Sequence, residues 1–192
     1  MAQIGLDKLV YALVTKDDET GYTAGPVKSF APAMSSNVNR NSSSTSLYAD
    51  NGVKAVATST GDTELELGTT KIPLPVQAEV LGHELRNGVL IRKKTDKAPY
   101  VAVGFRSEND DNSDKLVWLY KGKFQVPGQE FASKGESVEF QTRTITGKFA
   151  SRDFDGVSDI EADTNNEELP DGLVDTWFNE VVDIADLTTP TV

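Results

Sequence analysis

The chain contains no cysteine, which excludes disulfide bonds and thiolate chemistry. It has a single histidine, His83, so no Ser-His-Asp set is possible beyond this one residue. The apolar run at residues 9–14 is too short for a signal sequence or a membrane span, and we expect neither a targeting segment nor membrane insertion. No glycine-rich phosphate motif and no Gly-x-Ser-x-Gly elbow occurs.

Basic residues are missing from the C-terminal fifth of the chain. Residues 153–192 contain 12 acidic side chains and no lysine or arginine, although the whole chain has 19 basic residues. The remaining 152 residues are therefore nearly neutral. Such a distribution argues against tight binding to a phosphate backbone, which needs concentrated cations. We expect a solvated acidic surface or tail.

The strongest strand signals lie in two neighbouring arms. Residues 115–126 are rich in β-branched, aromatic and aliphatic side chains and end at a Pro-Gly turn. Residues 136–149 change the parity of their apolar positions between Phe140 and Ile145, which predicts a β-bulge near residues 142–146. We expect the two arms to pair as an antiparallel hairpin to which the other strands are added.

A strand with an acidic face is predicted over residues 62–67. Its alternation places Asp62, Glu64 and Glu66 on one face and Thr63, Leu65 and Leu67 on the other. The preceding residues 33–59 predict an arm or hairpin that projects from the body. Within that region the small polar residues 41–46 predict a flexible loop, and Gly61-Asp62 predicts a turn.

Two helices are predicted. Pro73 or Pro75 begins the first, at residues 75–85, which carries an apolar stripe. The second, at residues 173–182, presents Trp177 and Phe178, and we expect it to dock on the body or on a neighbouring subunit. Residues 151–166 predict a loop. The chain thus divides into a β-domain, residues 1–150, and an acidic C-terminal segment, residues 151–192.

No catalytic, metal-binding or cofactor-binding residue is predicted. Asp110, Asn112 and Asp114 are spaced like the first calcium ligands of an EF-hand, but Lys115 replaces the required glycine. A lone histidine in a helix turn is typical of a surface or capped residue. Glu64 and Glu66 are explained by a solvated strand face. We therefore predict that the protein is not an enzyme.

The chain resembles the major tail proteins of long-tailed bacteriophages, in particular the phi13 type, over about residues 4–183. The resemblance is carried by the segments IGLDKLVYALVT, SLYADNGVKAVATSTGDTELEL, LPVQAEVLGHEL, PYVAVGFRS, VWLYKGKFQVPGQEF and VEFQTRTITGKF. No one of these segments is a chemical signature, and the specificity comes from their occurrence in the same order.

This resemblance implies a mainly β, α+β fold: an antiparallel β-sandwich or partly rolled barrel with one flanking helix, an extended loop arm and a C-terminal helix. It implies six copies in a ring, and rings stacked into a tail tube that conducts DNA. The expected partners are further copies, the tape measure protein inside the tube, the tail terminator and a distal tail or baseplate protein. The expected location is the virion tail, assembled in the host cytoplasm.

The same resemblance directs attention to two sets of residues. Asp62, Glu64 and Glu66 are candidates to face the channel, and Glu139, Gln141 and Arg143 form a competing set. The candidate contacts between subunits are Arg40, Asn41, Tyr48, Trp177 and Phe178.

Three other functions stay open at this point. The first is a tube protein of a phage-derived particle that carries no DNA. The second is a monomeric carbohydrate-binding β-sandwich, which could use Trp118 and Tyr120 on one strand face. The third is a glycoside- or peptidoglycan-cleaving enzyme built on Glu64 and Glu66, which needs a cleft that the sequence does not reveal.

Overall fold

The computed structural model describes residues 3–49, 52–128, 142–170 and 172–187. These residues form eleven strands, two α-helices and one short 3₁₀ helix, Ile184–Leu187. The strands are β1 (Gln3–Asp18), β2 (Gly21–Ala24), β3 (Lys28–Ser29), β4 (Ala33–Ala49), β5 (Gly52–Thr69), β6 (Glu84–Arg86), β7 (Val89–Ile91), β8 (Val101–Asn109), β9 (Asp114–Phe124), β10 (Arg143–Ala150) and β11 (Asp159–Asp163).

One antiparallel sheet organises the chain. Its strand order is β2-β1-β8-β9-β10-β5-β4, and β3 and β11 add to β1 and β9 respectively. β6 and β7 form a separate hairpin. The predicted mainly β class is thereby confirmed. As expected, the strands of the predicted central hairpin, β9 and β10, lie in the interior of the sheet with other strands on both sides.

The predicted bulge lies in the other arm of that hairpin. β10 pairs with β5 without interruption from Arg143 to Phe149, so the prediction of a bulge at residues 142–146 was wrong. Instead, β9 has its irregularity between Leu119 and Gly122, opposite Val101 and Val103 of β8. The extra residue reverses the facing of β9. Before the bulge, the odd-numbered side chains of β9 face one side of the sheet. After the bulge, the even-numbered side chains face that same side.

The region predicted as a projecting arm is one long hairpin of β4 and β5. The prediction of a loop at residues 41–46 was wrong, because these residues continue β4 and pair in register with the small and β-branched residues 56–60. The prediction of a turn at Gly61-Asp62 was also wrong. Arg40 pairs with Thr63 and Ser42 with Thr60, so β5 holds one extra residue there and forms a bulge instead of a turn.

The first helix, α1 (Leu74–Leu81), is confirmed but ends earlier than predicted. Gly82 adopts a left-handed conformation with φ 70° and caps the helix. A side chain at this position would meet the carbonyl oxygen of Lys97 at 2.1 Å, so glycine is required. Leu85, which the apolar stripe predicts within the helix, lies in β6.

The acidic C-terminal segment is more ordered than predicted at its start and less helical at its end. Residues 151–166 were predicted as loop, yet β11 forms there and pairs with β9. The second helix, α2 (Leu173–Thr176), has only four residues and stops before Trp177. The segment nevertheless docks on the body of the same chain through its apolar side chains.

Two apolar clusters lie on opposite faces of β9. The first core cluster is closed by α1 and is built from Leu9, Tyr11, Phe30, Ala31, Leu65, Leu67, Ile72, Val80, Leu81, Val101, Val103, Phe105, Val117, Leu119, Phe124, Ile145 and Phe149. The second core cluster joins the sheet to the C-terminal segment and contains Ala102, Leu116, Trp118, Leu173, Trp177 and Val182. Within the described ranges, no helix is both long and apolar enough to cross a membrane.

Candidate assembly surface

The outer half of the β4–β5 hairpin projects from the body, and we call residues 41–49 and 52–62 the arm. The described side chains of residues 41–45 and 54–62 are exposed on both faces of this two-stranded ribbon. Val56 is an example, with 60% of its surface exposed. An isolated two-stranded hairpin is only marginally stable in water. The arm is therefore suited to be covered by another molecule.

The arm carries little charge. Its sequence across residues 41–62 contains only Asp50, Lys54 and Asp62 as charged residues, among many serines, threonines and alanines. A side-chain hydrogen bond joins its two strands, where the hydroxyls of Ser43 and Ser59 lie 2.8 Å apart. Ordinary protein surfaces hold many more charges, whereas the centres of protein interfaces are depleted in them. This composition favours contact over solvation.

The outer edge of β4 adds a second binding feature. β4 is the terminal strand of the sheet path, and among the described strands it pairs only with β5 along Ala33–Ala49. Along such an edge, every second residue directs its N–H and C=O groups away from the sheet. A long edge of this kind accepts a strand from another chain unless charge or proline blocks it. Arg40 is the only charged residue within β4.

The base of the arm is tied to β11. The Arg40 guanidinium lies 2.5 Å from Asp159 Oδ2 and also pairs with Glu161. Lys115 reaches the second Glu161 oxygen at 2.7 Å. The Asp159 and Glu161 carboxylates raise the pKa of Arg40. The side-chain amide of Asn41 donates to the backbone carbonyl of Asp62 at 3.0 Å, so this carbonyl at the bulge has a hydrogen-bond donor. The direction of the arm is thus set by the body.

The three candidate channel residues lie on the face opposite the first core cluster. Thr63, Leu65 and Leu67 are buried, whereas Asp62 and Glu66 are exposed and Glu64 is half-buried, as the alternation predicts. The register adds a feature that the sequence did not reveal. Glu64 lies opposite Lys148 of β10, and Lys148 lies opposite Lys123 of β9. The face therefore carries both signs of charge.

The competing channel set is described only in part. Arg143 pairs with Thr69, whose side chain is buried, and is itself half-buried. By register it shares the core side of β10 with Ile145. Glu139 and Gln141 lie outside the described residues.

Trp177 and Phe178, the C-terminal candidates for subunit contact, pack against Trp118 of the same chain. Trp177 is 1% exposed, and its carbonyl accepts the indole N–H of Trp118 at 2.9 Å. Phe178 is half-buried, with its ring 6.4 Å from that of Trp118. Tyr48 belongs to the backbone of β4, but its side chain lies outside the described residues. Arg40 and Asn41 form the base of the arm.

The aromatic pair considered for carbohydrate binding presents no surface. Trp118 and Tyr120 are both fully buried. The Tyr120 hydroxyl donates to the carbonyl of Val182 at 2.7 Å. The C-terminal segment covers both rings, so they offer no platform to a sugar.

His83 also lies inside the protein and not at its surface. Its Nδ1 atom is 2.7 Å from Asp96 Oδ2, and 5% of the side chain is exposed. Asp96 also accepts the backbone N–H of Lys93, and these two bonds lower the pKa of the Asp96 carboxyl. The pair joins the end of α1 to the loop that precedes β8.

Sequence reasoning missed a buried arginine. The Arg152 side chain is fully buried, chelates Asp155 through two nitrogens and approaches Asp183 at 3.4 Å. Its guanidinium stacks 4.1 Å from the Tyr120 ring and 4.8 Å from the Tyr22 ring. The available signal was its position as the last basic residue before an otherwise acidic segment. It holds that segment against the sheet.

The chain was also compared with known proteins. No protein-family model matches this sequence, and no curated protein matches it significantly.

Proposed function

We propose that this protein is the tail tube subunit of a long-tailed, non-contractile bacteriophage. Six copies form a ring, rings stack into a tube, and the bore conducts DNA from the capsid to the host cell. The observation that carries the proposal is the arm: a long, nearly uncharged hairpin that leaves the body with both faces exposed. The sequence resemblance over about residues 4–183 is the reason for proposing this particular assembly, a tube of stacked six-membered rings.

In this proposal the sheet has a partly rolled, tube-type arrangement. β1 and β4, at or near opposite ends of the strand path, both contribute to the first core cluster or pack against it, which supports a sheet that curls around one core. The arm and the open edge of β4 contact neighbouring copies. A closed ring of sheets leaves no open edge for uncontrolled aggregation.

The proposed channel face is Asp62, Glu64 and Glu66 with the neighbouring Lys148. Carboxylates repel the phosphate backbone, and interspersed lysines prevent a single strong field. Such a face does not accumulate the cation density that would hold DNA by counterion release. The duplex can therefore pass without sticking. The tape measure protein, the terminator and the distal tail protein complete the proposed set of partners in the virion.

The arm can be tested by shortening it without disturbing the sheet. Ser42 and Thr60 pair directly, so residues 43–59 can be replaced by Asn-Gly, which closes a two-residue hairpin. We expect the variant to fold, because neither core cluster uses these residues. Light scattering should show it as a monomer of its own mass, whereas the full chain reaches six times 20.8 kDa or more.

A point substitution provides a matched comparison. Val56 on the arm and Val89 on β7 are each 60% exposed. We expect Val56→Asp to block assembly by placing a charge in the contact, and Val89→Asp to assemble as the unmodified chain does. Equal assembly of both variants and of the shortened chain would overturn the role of the arm.

A further inference from the structure

Positive charge is concentrated in the segment that follows β7. Residues 92–97, which we call the basic loop, read Arg-Lys-Lys-Thr-Asp-Lys, and all four basic side chains are exposed. Lys93 pairs with Glu84 at 2.5 Å. The other three cations have no ion pair in the described part of the chain: Arg92, Lys94 and Lys97. The basic loop therefore presents three charges of one sign that the body of its own chain does not neutralise.

The backbone of the basic loop is held by the end of α1. The Asp96 carboxylate lies 2.7 Å from His83 Nδ1 and accepts the backbone N–H of Lys93 at 2.8 Å. The N–H of Asp96 in turn donates to the carbonyl of Lys93 at 3.1 Å. The one carboxylate of the loop is thus used for internal contacts, and the cations stand on an ordered backbone. Binding to such a loop loses less conformational freedom than binding to a disordered one.

The C-terminal segment carries unneutralised charge of the opposite sign. Several of its carboxylates are paired with basic residues of the chain, namely Asp153, Asp155, Asp159, Glu161 and Asp183. Four others are exposed and have no ion pair among the residues that the structure describes. We call these four the acidic surface: Glu167, Glu168, Asp175 and Glu180. No lysine or arginine occurs in residues 153–192 that could neutralise them locally.

The sheet separates the basic loop from the acidic surface. α1, which holds the basic loop, packs Val80 and Leu81 into the first core cluster. The chain that carries the acidic surface packs Leu173 and Trp177 into the second core cluster, on the opposite face of β9. The two charged regions of one copy therefore do not meet. A contact with twofold symmetry uses the same patch on both copies, so it would need both regions on one side of the molecule.

We propose that the basic loop of one copy binds the acidic surface of the next copy, head to tail. Each copy then uses its basic loop toward one neighbour and its acidic surface toward the other. Because such a contact repeats in one direction, it closes a ring or extends a filament. A second copy fits the basic loop better than a nucleic acid does, because the chain as a whole has a net charge of −11 and repels phosphates.

This charged contact and the arm have different roles in self-association. Complementary charge selects the partner and the orientation more than it adds affinity, whereas the nearly uncharged arm provides contact area. Val89 lies at the end of β7 that is farther from the basic loop, outside the charged contact. The inference rests on the proposed function only for the association of copies, and it needs neither DNA nor a virion.

Two sets of charge reversals test the contact. The loop variant makes the basic loop acidic through Arg92→Glu, Lys94→Glu and Lys97→Glu. The surface variant makes the acidic surface basic through Glu167→Lys, Glu168→Lys, Asp175→Lys and Glu180→Lys. All seven side chains are exposed, so we expect both variants to fold. The control is Glu19→Lys with Asp110→Lys, two exposed acidic residues in the turns after β1 and β8.

The measurement is light scattering over a concentration series at low ionic strength. Each reversed variant alone should need an at least about tenfold higher concentration to assemble, because like charges then face each other. The control should assemble as the unmodified chain does. An equimolar mixture of the loop and surface variants should also assemble as the unmodified chain does, since alternating copies again place opposite charges together at every contact.

The outcomes separate this inference from the proposed function. Normal assembly of each reversed variant alone, or a mixture that assembles no better than its components, would overturn the charged contact and leave the tube proposal standing. An unmodified chain that stays monomeric throughout would overturn both. Fluorescence anisotropy with a labelled DNA duplex covers the other occupant. Duplex binding that the loop variant loses, together with unchanged assembly of that variant, would assign the basic loop to nucleic acid and refute the inference.

Discussion

Replacing Arg152 with alanine should be the most damaging single change to a charged side chain in this protein. The guanidinium is fully buried between Tyr22 and Tyr120, and it neutralises Asp155 and Asp183. Removal of the cation leaves two partly exposed carboxylates without their partner and opens a space between two aromatic rings. It also releases the contact between the residue 151–158 loop and Asp183.

The size of the effect follows from the burial. Breaking a fully buried ion pair costs about 3–5 kcal/mol, but the Asp155 and Asp183 carboxylates reach water, so we expect a loss of about 2–3 kcal/mol. For a chain of this size, each kcal/mol lowers Tm by roughly 2–4 °C, so the predicted fall is about 4–12 °C. Arg152→Lys should lose less, because it keeps the charge but not the two-nitrogen fork or the stacking.

The assay is urea unfolding monitored by tryptophan fluorescence, since Trp118 and Trp177 lie in the cluster that the segment covers. Arg86→Ala is the control, because Arg86 also pairs with a carboxylate, that of Glu84, but its own side chain is 70% exposed. An exposed pair is worth about 0–1 kcal/mol. Equal losses in the two variants, or a loss below about 1 kcal/mol for Arg152→Ala, would refute the argument that burial decides the cost.

Two further substitutions test the packing and the electrostatics of the fold. Gly122→Ala would place a Cβ atom 2.3 Å from the ring of buried Phe149, so we expect a loss of about 1–3 kcal/mol in thermal unfolding, whereas Gly128→Ala, with no atom within 4 Å, should change nothing measurable. Asp17 is buried, which alone would raise its pKa, but Lys121 and the backbone N–H groups of Asp153 and Phe154 lower the pKa overall. Because the folded pKa lies below the unfolded value of about 3.9, the Asp17 contribution is complete above that pH and disappears as the pH falls through the folded pKa. The free-energy difference between the unmodified chain and Asp17→Asn should therefore be constant near neutral pH and shrink below about pH 4, and a difference that grows on acidification would contradict this.

Sequence periodicity predicted those elements whose facing is set by one solvated side. The alternation of residues 62–67 predicted which side chains of β5 are buried, and the apolar stripe predicted α1 but not its end. In both cases the pattern directly records a boundary between core and water.

The elements that were mispredicted depend on partners distant in the sequence. Residues 41–46 have loop-like composition, yet they form a strand because β5 lies opposite them. β11 is short and acidic, and its pairing with β9 decides its conformation. The side chains of β9 are buried on both faces of the strand, so its sequence shows no alternation from which the bulge could be predicted.

In the candidate assembly surface, too, local features were predicted and contacts between distant residues were not. A projecting arm or hairpin was predicted over residues 33–59, but the Arg40 contacts with Asp159 and Glu161 join residues more than 100 positions apart. The enclosure of Arg152 by Tyr22 and Tyr120 is equally non-local. Sequence reasoning placed Trp177 in a docking helix, and only the fold revealed that its docking surface lies within the same chain.

The most direct measurement of the central claim is negative-stain electron microscopy of the purified protein over a concentration series. The account predicts rings with a central hole, and tubes of constant width at higher concentration, for the full chain. It predicts neither for the chain in which Asn-Gly replaces residues 43–59. Rings or tubes formed equally by the shortened chain, or a full chain that stays monomeric across the whole series, would contradict it.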